Sequence, residues 1–218
     1  MLTTPLADPA QTTVFLDFDG TISARSVSVH LLERHGAAGW REVDDRYIAG
    51  EIGSREAMAG EWRALADVDE ATLRATAREV PLDPGARPLV RALQAVGADI
   101  VVLSDGFGFY VHEAVADLAI PVLTNDVTFD GRMTHPASDP TCPCAACGTC
   151  KAAPLRAARA AGRRTVFIGD GVSDRRAAAE ADLVYAKARL ASWCEAEGVA
   201  FVRYEVLDDV RRHLLGQA

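Results

Sequence analysis

The sequence predicts an α/β fold, a Rossmann-like core built on a parallel sheet, and three apolar runs that each end in polar, glycine-containing loops carry that prediction. VFLDF (14–18), DIVVLSDG (99–106) and TVFIGDG (165–171) have the length and composition of strands buried on both faces. Each delivers acidic or hydroxyl residues just past its carboxyl end, where open parallel sheets collect their ligands. Helical patterns lie between the runs. ARPLVRALQAVG (86–97) and PLRAARAAG (154–162) both stop at a glycine suited to a C-cap, and the second opens on proline. DLVYA (182–186) adds a further strand to this alternation.

One stretch departs from the alternation. Between about 26 and 80 the sequence is helical throughout, with SVHLLERHG, REVDDRYIAG, SREAMAGEWRALA and DEATLRATAREV separated by glycines or capping residues. It is expected to form a separate helical unit, closed by the turn PLDPG (81–85), with 1–25 and 81–218 forming the core. DVTFDGRMTH (126–135) carries an Asp-Gly turn between β-prone flanks and predicts a short hairpin.

With 218 residues, 49% of them hydrophobic, the chain can bury a substantial core. A formal charge of -8 argues against nucleic acid and anionic membrane surfaces as partners, since either needs a coherent cationic face. Neither a membrane-crossing run nor a leader-like segment is seen, and the chain is expected to be cytoplasmic. Monomer and homodimer are both compatible with it.

The chemistry gathers at the strand ends. Asp17 and Asp19 stand two apart at the end of the first run, and Gly20 with Thr21 lets the backbone turn and bring amides toward a bound anion. A carboxylate there can attack phosphorus, and a second carboxyl can protonate the leaving alcohol and then activate water. A string such as DFDGT arises by chance about once in a million windows. Ser104, Asp105 and Gly106 end the second run with groups that can hold a phosphate oxygen, and Lys151 offers a positive charge to offset it. Asp170 and Asp174, in GDGVSD, bring two further carboxylates. So much negative charge calls for a counter-ion, and magnesium suits oxygen ligands that also meet a phosphate.

Taken in order, DFDGT, LSDG, Lys151 and GDGVSD resemble the four signature motifs of the haloacid dehalogenase superfamily of phosphatases. The resemblance implies Asp17 as nucleophile, Asp19 as general acid and base, and Ser104 with Lys151 as the phosphate-binding pair. It implies Asp17, the Asp19 carbonyl, Asp170 and Asp174 as the magnesium site, and 26–80 as a C1 cap over a small phosphorylated metabolite. Arg46, Glu51, Arg55 and Trp62 are then candidate selectivity positions. LSDGFGFYV, CGTCK and DLVYAKARLASWCEAEG are most similar to two branches of that superfamily. One is the methionine-salvage 2-hydroxy-3-keto-5-methylthiopentenyl-1-phosphate phosphatases, the other the phosphoethanolamine/phosphocholine phosphatases. Asp105 stands where phosphoserine phosphatases usually have glycine, which argues against phosphoserine. The reaction expected is hydrolysis; transfer to an alcohol acceptor, or a catalytically silent binding protein, are the alternatives.

Five cysteines complete the inventory. Cys142, Cys144, Cys147 and Cys150 crowd into CPCAACGTC, where they could hold a structural zinc ion or remain as thiols. Cys194 is expected inside a helix. His30, His35 and His135 receive no role.

Overall fold

The computed structural model describes residues 6–136 and 146–216. Among the described residues seven strands form one sheet: β1 (Thr12–Leu16), β2 (Asp99–Phe107), β3 (Val122–Val127), β4 (Met133–Thr134), β5 (Arg164–Gly169), β6 (Leu183–Ala186) and β7 (Val202–Arg203). Their order is β4-β3-β2-β1-β5-β6-β7, parallel except at β4, which pairs antiparallel with β3. The hairpin expected over 126–135 is that β3–β4 pair, with Asp126 opposite Thr134.

β1 lies at the centre because it can be buried on both faces. Val14 and Leu16 point into the larger apolar core while Phe15 points into the smaller one on the opposite side. β5 repeats this with Val166 and Ile168 against Phe167. The period-two alternation of a strand divides the side chains this way, and each fully buried aliphatic or aromatic side chain contributes about 1.5–3 kcal/mol.

Four consecutive helices follow β1: α1 (Val27–His35), α2 (Trp40–Ile48), α3 (Ser54–Ala64) and α4 (Glu70–Ala77). The Ser26 hydroxyl accepts from the Val29 amide at the start of α1, and the Asp69 carboxylate accepts from the Thr72 amide at the start of α4. The chain leaves and re-enters the sheet region side by side: the Ala24 amide donates to the Pro81 carbonyl and the Asp83 amide to the Ile22 carbonyl. Asp83 is buried there and accepts from the amides of Gly85 and Leu207.

The remaining helices are α5 (Ala86–Ala95), α6 (Gly108–Val115), α7 (Ala152–Ala160), α8 (Arg175–Glu180), α9 (Ala188–Glu197) and α10 (Leu207–Leu215). Cys194 is fully buried in α9, as expected. Among the described residues no helix is long and apolar enough to cross a membrane.

Asp83 ties the return from the four-helix segment to α10, so Asp83→Ala strands two buried amides. Chemical denaturation is expected to show a loss of about 1–3 kcal/mol.

Candidate active site

Asp17 follows β1 in extended conformation, and its amide continues the ladder by donating to the Ile168 carbonyl at 2.9 Å. That bond fixes the backbone from which the carboxylate projects. The next residues reverse direction over 18–22, with Gly20 at φ +79. A Cβ at Gly20 would collide with the Asp170 carboxylate, so glycine is required for approach as well as for backbone conformation.

Asp170 and Asp174 arrive from the end of β5. Both the Asp170 and Gly171 amides donate to Asp174 Oδ2 at 2.9 Å, which locks the turn that carries them. Asp17, Asp170 and Asp174 each present an oxygen within 4.8 Å of the others. Lys151, immediately before α7, sends its ammonium into this group. Nζ donates to Asp17 Oδ1 (2.5 Å), Asp174 Oδ1 (2.7 Å) and Ser173 Oγ (2.9 Å).

All this happens out of water. Asp17 and Lys151 are 4% and 3% exposed, and Asp174 is fully buried. Burial opposes the charge on Lys151, but Asp17, Asp174 and Asp105 outweigh it and hold the ammonium well above its usual range. Asp17 is pushed up by burial and by the Asp174 charge, with Lys151 pulling the other way. Asp170 is raised to about 6 by burial and then by Asp174. Three carboxylates against one ammonium leave an excess of negative charge on a set of oxygen donors, and a hard divalent cation such as magnesium fits that set. Asp174 already has both oxygens engaged by protein donors, so Asp17 and Asp170 have the freer oxygens.

Asp19 is held differently. Oδ1 accepts from the Val27 amide at 2.6 Å and Oδ2 from the Tyr110 hydroxyl at 2.8 Å. Burial raises its proton affinity, and those two hydrogen bonds only partly counter the rise.

The expected phosphate-binding residues are distributed unevenly. Ser104 is fully buried and its Oγ accepts from the Gly106 amide at 3.0 Å. Gly106 has no room for a Cβ, which would meet the Tyr110 hydroxyl and Asp19. Thr21 is buried, its hydroxyl donating to Asp170 at 3.3 Å, so this side chain steadies Asp170. The Asp105 carboxylate accepts from the Thr149 amide at 2.5 Å and the Ser54 hydroxyl of α3 accepts from the Gly148 amide at 3.0 Å, so β2 and α3 both hold the segment that carries Lys151.

A cavity of about 160 Å³ opens over these groups. Its floor includes Asp17, Asp19, Asp105, Lys151 and Asp170, and its roof includes Asp44, Tyr47, Met58 and Glu61 from α2 and α3. Sequence reasoning passed over Tyr110, Ser173 and the roof residues. The selectivity candidates it favoured lie elsewhere. Trp62 is buried against Phe107, Phe109 and Phe129, and Arg46 pairs with Glu51 and Glu56 near the surface. Arg55 donates to the Cys147 carbonyl at 3.0 Å.

Cys142 and Cys144 lie outside the described residues, and among the described residues no cysteine joins a group that could hold a metal, so the zinc expected here is unsupported. Cys147 and Cys150 flank the loop that leads to Lys151. The histidines serve packing and hydrogen bonding: His30 meets Arg25 and Glu79, His35 meets Thr76, and His135 meets Asn125.

Comparisons with known proteins bear on the family and the fold. The model of the family described as haloacid dehalogenase-like hydrolase matches residues 14–179. A 2-hydroxy-3-keto-5-methylthiopentenyl-1-phosphate phosphatase from Exiguobacterium sp. (strain ATCC BAA-1283 / AT1b) is 31% identical over 94% of this chain and 98% of its own. One of the same name from Bacillus cereus (strain ZK / E33L) is 25% identical over 93% and 97%. A solved phospho-aspartyl intermediate analogue of phosphoserine phosphatase superposes with a TM-score of 0.73 at 16% identity, covering 93% of this chain and 98% of that one. A hydrolase of the same family from Salmonella enterica subsp. enterica serovar Typhi gives 0.76 at 16% identity, covering 96% and 73%. At such identities these structures speak for the fold alone.

The Asp170 shift carries a sign. With its proton affinity raised from the ordinary 3.8 to about 6, the folded state binds the proton more tightly than the unfolded chain, and that contribution is lost as pH rises through 6. A divalent cation held by the same carboxylates would compete with this proton. Added magnesium is therefore expected to raise the Tm of chelator-treated protein more at pH 7 than at pH 5, as read by thermal denaturation.

Proposed function

Because the chain belongs to the haloacid dehalogenase-like hydrolase family, we propose that it is a phosphoric monoester hydrolase acting through an aspartyl phosphate on Asp17. The observation that carries this reading is the buried contact of Asp17 with Lys151, beside a second carboxyl, Asp19, that burial inclines to hold a proton.

Asp17 attacks phosphorus, an oxygen–phosphorus bond forms on its carboxylate, and the bond to the ester oxygen breaks. Asp19 gives its proton to the departing alcohol, held for that transfer by Val27 and Tyr110. The Asp19 carboxylate then takes a proton from water as the water oxygen attacks phosphorus, releasing phosphate and restoring Asp17. Lys151 opposes the charge that gathers on the phosphoryl oxygens, and the Ser104 hydroxyl, oriented by the Gly106 amide, donates to one of them. Asp17, the Asp19 carbonyl and Asp170, with Asp174 behind them, would hold magnesium, which when bound supplies neutralising charge to phosphate and carboxylates. Asp105 fastens the segment that carries Lys151, and Gly20 and Thr21 keep Asp170 against the nucleophile.

Residues 26–80 act as a cap whose helices α2 and α3 roof the cavity and limit it to small esters. For substrate, the relatives' name makes 2-hydroxy-3-keto-5-methylthiopentenyl-1-phosphate the first compound to test.

Phosphate release from that compound and from a panel of small monoesters is expected to require magnesium and to stop on chelation. Asp17→Asn is expected to lower kcat by at least about a thousandfold, since its amide cannot form the acyl phosphate.

A further inference from the structure

Glu61 is the one acidic residue of α3 that faces inward. It is 2% exposed and shares the buried side of the helix with Ala57 and Met58. It lines the cavity, and its Oε2, shut off from solvent, has no hydrogen-bond partner among the described residues. A buried carboxyl oxygen left this way is costly to the fold. Burial, reinforced by Asp44, Asp19 and Asp105, pushes its proton affinity well up. The nearby ammonium of Lys151 is spent on Asp17, Asp174 and Ser173. Arg189, also at the cavity, is set against Asp44. The protein thus keeps an acceptor without a partner in the roof over its reacting carboxylates.

We propose that Glu61 is a leaving-group subsite, whose carboxyl receives a hydrogen-bond donor, hydroxyl or ammonium, carried by the alcohol half of the substrate. This rests on the hydrolase reading above. Met58, beside Glu61 in the roof, supplies apolar contact for the carbon chain between donor and ester. The cost of burying Glu61 is recovered when a donor arrives, and a site built to pair with a donor discriminates strongly against an analogue lacking it.

The test compares kcat/KM for ethyl phosphate, 2-hydroxyethyl phosphate and 2-aminoethyl phosphate, with the Tm of each ligand-free protein. The wild type is expected to favour at least one donor-bearing ester over ethyl phosphate by about tenfold or more. Glu61→Met is expected to bring that ratio to about one while raising Tm, because an apolar side chain replaces an unpaired buried carboxyl. Glu61→Gln separates the two donors: a retained preference identifies the hydroxyl, a lost one the ammonium. A wild type without preference, a ratio unchanged in Glu61→Met, or a lower Tm in that variant would overturn the subsite while leaving the hydrolase reading intact. Absence of phosphate release from every ester would overturn the hydrolase reading, and the subsite with it.

Discussion

The ammonium of Lys151, buried between the carboxylates of Asp17 and Asp174, is the interaction on which the rest of this site depends. Each ion loses several kcal/mol of hydration on burial. A contact between unit charges returns on the order of 4 kcal/mol at about 4 Å in an effective dielectric near 20. One lysine meeting two aspartates can offset its own burial, but it leaves the third carboxylate of the group uncompensated. The same imbalance that makes the site expensive makes it receptive to a divalent cation and to a phosphate that brings its own metal contacts.

Elements far apart in the chain converge to hold that lysine. β1 and β5 supply the carboxylates through their parallel pairing, while Asp105 at the end of β2 grips the Thr149 amide two residues before Lys151. Ser54 in α3 accepts from the Gly148 amide of the same segment, so the roof and the lysine segment are tied together. Tyr110 crosses from α6 to Asp19. Removing any of these groups would loosen two parts of the site together, which explains why so much polar side chain is buried at one edge of the sheet.

Much of this was legible in the sequence because strand ends and glycines have local causes. VFLDF, DIVVLSDG and TVFIGDG announced three buried strands with polar carboxyl ends, and the sheet sets them side by side so that their aspartates meet at that edge. The four helices between β1 and α5 were also readable, since α1 and α4 open on the side-chain caps Ser26 and Asp69 while α2 and α3 follow Gly39 and Gly53. The short β7 and the amphipathic α10 had too little local signal or no motif to draw attention. The roof of the cavity was read less well. Trp62 and Arg46 drew notice as large polar or aromatic residues, yet packing against Phe107 and pairing with Glu51 decide their positions, and both are tertiary facts. Glu61 did leave a trace: it follows Ala57 and Met58 at helical spacing on an apolar face, where a glutamate is out of keeping.

The central claim is that phosphate passes through a covalent bond to Asp17, and the intact mass of Asp19→Asn after exposure to a cleavable phosphate ester tests it most directly. With the proton donor and water activator removed, the account predicts that a single phosphoryl group accumulates, that peptide mapping finds it on Asp17, and that Asp17→Asn abolishes it. A phosphoryl group on another residue, or continued turnover by protein lacking the Asp17 carboxylate, would contradict it.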